Sequence, residues 1–214
     1  AAERQLQQQT LGLDADGLEA TAVRAMAATA VKTANDRKLN GVAVMLPDGL
    51  AASDAASMAV QGAALGGYRY DTYLTQDVEA LTCESVTLLS ADAGLDGVVA
   101  RSQAIADAVA TARDLVNGPP IEVPPTYLAN TPKGIADAGG LDYKVFDKAA
   151  IVAEGMNLIM GVGCGSDEEP RLIHLTYRPD GATDDTPSIA LVGKGITFDA
   201  GGYNIKPTGS VEDM

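Results

Sequence analysis

The residues best suited to chemistry lie in the final stretch of the sequence, residues 191–214, which reads LVGKGITFDAGGYNIKPTGSVEDM. Lys194, Asp199 and Lys206 stand there among four glycines, at positions 193, 195, 201 and 202. Glycines at this density allow positive φ angles and let the backbone approach an ion or a substrate closely. The stretch is therefore predicted to form a site.

The three charged side chains define the chemistry that such a site could perform. An ammonium group has donors and no lone pair, so Lys194 can ligate a divalent metal only as the neutral amine. Metal binding can release the ammonium proton. Asp199 would add a carboxylate ligand, and Lys206 would keep its charge to stabilise an oxyanion. The spacing alone leaves a plain alternative open, a glycine-rich turn that carries surface lysines.

The charge balance narrows the class of partner. The 214 residues include 15 Lys and Arg against 29 Asp and Glu, a net charge of −14. This disfavours nucleic acid, whose phosphates are bound by basic patches. No apolar run approaches the roughly 20 residues of a membrane span, and the opening residues 1–9 lack the apolar core of a secretory signal. We therefore expect neither nucleic acid nor membrane as a partner.

The cysteines and the histidine give no sign of a metal cluster. Cys83 and Cys164 lie far apart in sequence, which favours free thiols in an intracellular compartment over a disulfide. The single histidine, His174, falls in a strand-like run and is interpreted as a satisfied strand residue.

The hydrophobic pattern alternates between helical and strand periods, which predicts an α/β protein. Apolar runs in the second half favour a sheet covered on both faces. The last strand, a buried one at 189–192, would carry the site at its carboxyl end, where open α/β sheets place ligands. Thr126 is expected to cap a helix. The predicted helices are 18–38, 52–65, 98–116, 126–138 and 148–154, and the predicted strands are 42–46, 85–90, 143–146, 158–161, 172–177 and 188–192.

A proline-rich segment predicts the domain boundary. The sequence Asn117-Gly-Pro-Pro is followed within five residues by Pro124 and Pro125. Proline does not favour continuing a helix, and it biases the residue before it toward extended backbone. We therefore predict an N-terminal α/β domain with a linking helix over 1–116, a linker over 117–125 and a second domain over 126–214.

Other short motifs are interpreted as structural. Gly161-Val-Gly-Cys-Gly has the wrong spacing for a dinucleotide loop and is predicted to be a tight turn. Gly193-Lys194 lacks the Ser or Thr of a phosphate-binding loop, and no G-x-S-x-G elbow is present. The tyrosines of residues 68–73 could stack bases, but the acidic balance favours a packed connector or a subunit contact.

The run VGKGITFDAGGYNIKP resembles the signature of the leucine aminopeptidase family, also called the cytosol aminopeptidases, and the resemblance continues to Met214. It assigns Lys194 and Asp199 as metal ligands, Lys206 as the catalytic lysine, and Met214 as a residue lining the pocket for the substrate's first side chain. Lys194, Asp199 and Lys206 are also expected to contact substrate. The segment from Arg113 to Pro120 is similar to the region between the family's two domains.

The resemblance implies a smaller, macro-like N-terminal domain and a zinc-peptidase-like catalytic domain. It implies two divalent ions, zinc or manganese with magnesium or cobalt as substitutes, and a bicarbonate held by an arginine. The expected reaction releases N-terminal residues, leucine above all, from peptides by attack of a metal-activated hydroxide. A homohexamer in the cytoplasm is expected, with the plastid as an alternative location.

The same resemblance predicts that the sequence is incomplete. In the family another metal-binding aspartate follows three positions after the equivalent of Met214, and a later motif supplies two more carboxylates and the arginine. The sequence is thus expected to be a fragment that ends inside the catalytic domain, lacks the opening strands of the first domain, and is inactive alone. Two alternatives to the aminopeptidase remain at this point, a structural family member without activity and a DNA-binding regulator.

Overall fold

The chain divides into two units, and the division falls between Asp114 and Leu115. The structure is a computed structural model that describes residues 19–76 and 78–212. Within these residues each unit combines helices with a two-stranded sheet, which confirms the predicted α/β class. Residues 118–124 lie between two helices, and their assignment as a linker between domains stays a prediction.

The first helix forms because small apolar residues recur at helical spacing. Helix α1, Ala20–Asp36, buries Val23, Ala27, Val31 and Ala34 on one face, at steps of four, four and three residues. The chain leaves the helix through Lys38, whose φ of 55° turns it toward the first strand.

The second helix packs very closely against the first. Helix α2, Ala52–Gly67, buries alanines and one glycine along the face that meets α1. A Cβ atom placed on Gly62 would lie 2.1 Å from the carbonyl oxygen of Arg24, and one on Gly66 would lie 2.6 Å from that of Ala28. Only residues without a side chain fit at these positions, so the glycines set the distance between the two helices.

A short parallel sheet completes the core of the first unit. Strand β1, Gly41–Met45, pairs in parallel with strand β2, Ser85–Leu89, from Gly41 opposite Ser85 to Met45 opposite Leu89. Hydrophobic residues of α1, α2 and the β1 segment form one buried cluster. Its members are Val23, Ala27, Val31, Val44, Leu46, Ala55, Ala56, Ala59 and Ala63.

A long helix packs on this core through apolar residues such as Val98 and through polar contacts. Helix α3, Asp96–Asn117, buries Ser102, whose hydroxyl lies 2.9 Å from the hydroxyl of Ser57 on α2. Near its end, Asp114 accepts a hydrogen bond from the Tyr68 hydroxyl at 2.7 Å, and the Arg113 guanidinium lies 3.9 Å above the Tyr68 ring. Tyr68 thus contacts α3, whereas Tyr73 in the same segment is exposed, and the role of the tyrosine segment stays a prediction.

The second unit combines helices with an antiparallel strand pair. Its helices are α4, Pro125–Gly139, α5, Lys148–Ala153, and α6, Asn157–Gly163. Strands β3, Asp142–Phe146, and β4, Leu172–Thr176, pair from Asp142 opposite Thr176 to Phe146 opposite Leu172. A last short helix, α7, is Thr208–Glu212. His174 lies on β4, exposed, with its ring nitrogen 3.3 Å from the Thr176 hydroxyl, and both cysteines are free.

The predicted cap of the fourth helix was wrong by two residues. Pro124 is the N-cap residue, with extended backbone, and Pro125 is the first helical residue. The fixed φ of proline suits that first position, where its missing N–H has no partner to lose. Thr126 therefore lies inside the first turn.

The predicted strand at 158–161 was wrong as well, because these residues belong to α6. A short apolar run does not distinguish a strand from a helix by its period. The last backbone hydrogen bond of the helix runs from the N–H of Cys164 to the carbonyl of Met160, at 2.9 Å. The helix therefore includes the first part of the glycine-rich segment 161–165, which was predicted to be a tight turn. The turn itself lies at Cys164 and Gly165.

The third correction concerns the strand expected before the site. Residues 188–192 form no strand, and Ile189, Leu191 and Val192 are 91%, 95% and 97% exposed. A strand needs a hydrogen-bonded neighbour, and these residues pair with no strand in the described part of the chain. The prediction that the site lies at the carboxyl end of a central, covered strand was therefore wrong.

In residues 19–76 and 78–212, no helix combines the length and the apolar character needed to cross a membrane.

The close approach of α1 and α2 predicts the effect of a single methyl group. Substitution Gly62→Ala should destabilise the first unit by about 3 kcal/mol, the upper end of the usual cost of overpacking, because the added atom meets backbone. Native-state hydrogen exchange of the α1 and α2 amides in the intact protein would measure the loss of protection.

Gly97→Ala is the matched control, since a Cβ at Gly97 in α3 would have no atom within 4 Å. This variant should leave protection unchanged or raise stability by up to about 1 kcal/mol. Equal protection of α1 and α2 in the two variants would contradict the close helix crossing.

Candidate functional site

The loop from Asp199 to Lys206 brings two of the predicted site residues together. The ammonium nitrogen of Lys206 lies 3.2 Å from Oδ2 of Asp199. The Asp199 and Lys206 side chains are about one third exposed, at 37% and 30%. The sequence places them seven residues apart, and the structure joins them in an ion pair. We call residues 199–206 the site loop.

A backbone hydrogen bond holds the other oxygen of the same carboxylate. The N–H of Gly201 donates to Oδ1 of Asp199 at 2.9 Å. Such a bond, from an N–H two residues on, is the usual way in which an aspartate stabilises a turn. Both oxygens of Asp199 therefore have a defined partner, and the orientation of the carboxylate is set within its own loop.

A second backbone contact closes the loop. The N–H of Lys206 donates to the carbonyl of Ala200 at 3.0 Å, which returns the chain to the point where it left Asp199. Gly201 adopts a φ of 105°, and a Cβ there would lie 2.3 Å from the carbonyl oxygen of Asn204. The loop can close in this way only with glycine at 201.

These contacts lower the pKa of Asp199. The largest cause is the hydrogen bond from Gly201, followed by the hydrogen bond and the charge of Lys206, and Lys194 adds a smaller effect through its charge. Partial burial acts in the opposite direction but does not prevail. Asp199 is consequently an ionised carboxylate at neutral pH.

The pKa shift also has a consequence for stability. Because the pKa of Asp199 is lower in the folded chain than in the unfolded chain, ionised Asp199 stabilises the folded loop above the unfolded pKa. That contribution is lost as the pH falls through the lowered value. The loop should accordingly be least stable at strongly acidic pH.

The other two predicted site residues, Lys194 and Met214, lie outside the site loop in sequence. Lys194 is exposed, and its positive charge is the smallest of the causes that lower the pKa of Asp199. Met214 lies outside the described residues. The roles assigned to Lys194, Asp199, Lys206 and Met214 stay predictions.

The donor set of the site loop fits part of a metal site. Asp199 offers an ionised carboxylate oxygen, and a hydrogen bond to its second oxygen is the common outer support of a metal-ligating carboxylate. A neutral Lys194 would add a nitrogen ligand. No group of three or more His, Cys, Asp or Glu residues that could hold a metal occurs among residues 19–76 and 78–212. Lys194 and Asp199 would thus provide one part of such a site.

A cleft elsewhere in the molecule does not coincide with these residues. It has a volume of about 480 Å³ and lies in the first unit, between α2, β2 and α3. Its polar lining includes Glu84, Gln103 and Asp107. None of the described site residues lines it, so the site loop is identified as the candidate site from its hydrogen bonds and ion pair, not from a cavity.

Sequence reasoning treated the four glycines of the motif alike, whereas the structure separates them. Gly201 has both a positive φ and a blocked Cβ position, while a Cβ at the adjacent Gly202 would meet no atom within 4 Å. The only sequence signal for this difference is that Gly201 stands two residues after the aspartate, the spacing of an aspartate-stabilised turn.

Comparison with known proteins places both parts of the chain in one family. The model described as "Cytosol aminopeptidase family, catalytic domain" matches residues 110–214, and the model described as "Cytosol aminopeptidase family, N-terminal domain" matches residues 10–77. Curated relatives include the probable cytosol aminopeptidases of Geotalea uraniireducens, 38% identical over 193 residues, and Thermosynechococcus vestitus, 39% identical over 198 residues. The alignments cover 88% and 90% of this chain.

The match extends over only part of those relatives. The chain spans 38% of the Geotalea protein and 39% of the Thermosynechococcus protein.

Solved structures agree with the sequence matches. The bottromycin maturation enzyme BotP in complex with Mn superposes with a TM-score of 0.77 at 34% identity, over 90% of this chain and 40% of that chain. A tomato leucine aminopeptidase mutant gives a TM-score of 0.76 at 26% identity, over 84% of this chain and 37% of that chain.

The contacts that lower the pKa of Asp199 differ in the size of their effect, and this difference gives a test of the site loop. Substitution Lys206→Met should raise the pKa of Asp199, because it removes a hydrogen bond and a positive charge. The pKa should remain depressed in part, since the Gly201 N–H is retained. Carbon-detected NMR titration of the Asp199 carboxyl, with metals chelated, would measure both values.

Lys194→Met serves as the control for loss of a lysine charge nearby. It should raise the pKa of Asp199 by less than Lys206→Met does. A larger shift from the Lys194 variant would contradict the ion pair between Lys206 and Asp199.

Proposed function

Because the chain belongs to the cytosol aminopeptidase family, we propose that it forms part of a two-metal aminopeptidase that releases N-terminal residues, leucine in particular, from peptides. The observation that carries the proposal is the site loop, in which Lys206 and Gly201 hold the Asp199 carboxylate at 3.2 and 2.9 Å.

Lys194 and Asp199 are the residues of this chain that would hold the divalent ions. Asp199 is ionised, which a carboxylate ligand requires, and its orientation is fixed within the loop. Lys194 would ligate as the neutral amine. When bound, divalent ions polarise the scissile carbonyl and lower the pKa of water so that hydroxide is available near neutral pH.

Lys206 has the position and the chemistry of an oxyanion-stabilising group. Its ammonium is held next to Asp199 by the ion pair and by the backbone bond to Ala200. When a divalent ion takes the place of the ammonium at Oδ2, the backbone bond to Ala200 still keeps Lys206 beside the site, where its charge would stabilise a developing oxyanion. We assign Lys206 this role, with substrate contacts for Lys194 and Asp199 beside it and for Met214 at the first side chain.

The comparisons also bear on the metal ions and on the location of the protein. The Mn in the BotP structure supports a divalent metal cofactor, and we propose two ions, zinc or manganese or both, with magnesium or cobalt as substitutes. The name of the relatives, cytosol aminopeptidase, supports a cytoplasmic location. A homohexamer and a bicarbonate complete the proposal as expectations from the family resemblance.

The proposal predicts chelator-sensitive hydrolysis of leucine anilides by the intact protein. Lys206→Ala should lower kcat by about 100- to 1000-fold, the usual loss when one preorganised oxyanion donor is removed. KM should change much less, because the lysine acts mainly on the developing charge. Steady-state kinetics with added Mn²⁺, before and after chelation, would measure these effects.

Lys133→Ala is the matched control, an exposed lysine on α4 of the same unit. It should leave kcat unchanged. An intact protein that hydrolyses no leucine anilide with any of the four metals would refute the proposed function and favour a structural family member. Equal kcat for the two alanine variants would refute the role of Lys206 alone.

A further inference from the structure

Two partners hold the Asp199 carboxylate, and they differ in mobility. The Lys206 ammonium stands at the end of a side chain with four rotatable bonds. The Gly201 N–H belongs to the backbone of a loop that Lys206 and Ala200 close at 3.0 Å. The ammonium can leave Oδ2 when another cation takes its place, whereas the N–H remains at Oδ1.

The backbone at Gly201 is built for this bond. Its φ of 105° lies in a region that residues with a side chain rarely adopt. An added Cβ would lie 2.3 Å from the Asn204 carbonyl oxygen and 3.1 Å from both the Ile205 Cα and the Lys206 nitrogen. The loop thus folds over the face of Gly201 where a side chain would stand.

We propose that Gly201 is a positioning residue, whose N–H fixes the Asp199 carboxylate in the orientation that leaves Oδ2 available to a divalent ion. The inference rests on the proposed function, because it needs Asp199 to be a metal ligand. It goes further in naming a backbone donor that contacts neither metal nor substrate. Outer hydrogen bonds of this kind contribute about 10- to 100-fold to metal affinity.

The adjacent glycine provides the contrast. A Cβ at Gly202 would have no atom within 4 Å, so the surroundings of Gly202 leave room for a side chain. If the Gly-Gly pair served only to make the segment pliable, the two positions would be equivalent. The structure predicts that they are not.

The test removes the N–H and keeps the glycine geometry. In the intact protein, prepared by semisynthesis, the peptide bond to Gly201 is replaced by an ester, which deletes the N–H, adds no side chain, and makes the Ala200 carbonyl a weaker acceptor for the Lys206 N–H. An ester at the peptide bond to Lys206 removes that N–H and keeps the N–H of Gly201, so it measures the effect of the Ala200 bond by itself. A loss of affinity there as large as the loss at Gly201 would overturn the inference. The same replacement at Gly202 is the matched control. Mn²⁺ alone is the probe, and its affinity is measured by isothermal titration calorimetry and by the electron paramagnetic resonance signal of free Mn²⁺.

The expected result is an affinity about 10-fold or more weaker for the ester at 201, with the ester at 202 within twofold of the unmodified protein. Equal affinities for both esters and the unmodified protein, or equal losses in both esters, would overturn the inference and leave the proposed function standing. An unmodified protein that does not bind Mn²⁺ would overturn both.

Two ordinary variants give an independent readout that does not require semisynthesis. Gly201→Ala should weaken Mn²⁺ binding at least as much as the ester does, because it also strains the loop, and Gly202→Ala should leave binding within twofold. Hydrogen exchange in α4 and β3 should match the unmodified protein in both variants, which separates a local effect from general unfolding. Weakened binding in the Gly202 variant alone would contradict the assignment.

Discussion

The ionised carboxylate of Asp199 is the group around which the site loop is arranged. One oxygen accepts the Gly201 N–H and the other faces the Lys206 ammonium. A partly buried carboxylate without such partners would be disfavoured as an anion. The loop therefore supplies a donor and a cation from within seven residues, and the lowered pKa of Asp199 is the measure of their combined effect.

The first unit solves a different problem, that of building a core from small side chains. Its cluster contains five alanines and only one leucine. Alanine buries little apolar area, so dense packing has to compensate for the small area of each residue. The glycines at 62 and 66 make this density attainable, because they let the backbones of α1 and α2 approach each other closely.

Much of the fold could be predicted from local pattern, and the failures have a common physical origin. Helix α1 was predicted to within two residues because its 17 residues show a clear apolar period. Strands β1 and β2 were predicted to within one residue from short apolar runs, and these two runs pair with each other in the structure. The apolar runs at 158–161 and 188–192 are too short for a period to be measured. The first is helical in the structure, and the second has no strand beside it. Strand formation depends on partners that a single run of sequence does not specify.

For the site, the sequence predicted which residues to examine, and their roles stay predictions. The residue types of Lys194, Asp199 and Lys206 indicated metal and oxyanion chemistry, and the structure joins the last two in an ion pair. The separate role of Gly201 could not be predicted, since it depends on a φ angle and on where Asn204 lies. Residue type gives the chemistry available, whereas geometry decides which of two identical neighbours is indispensable.

The site loop is also local in sequence, and this bears on when it forms. Its hydrogen bonds and its ion pair join residues between two and seven positions apart. Closing so short a segment costs little chain entropy, and contacts of small sequence separation form early in folding. The strand pair β3 and β4, by contrast, joins residues 26 to 34 positions apart. The geometry around Asp199 can therefore be established before the sheet of its own unit is complete, so that the carboxylate is already oriented while the rest of the chain is still folding.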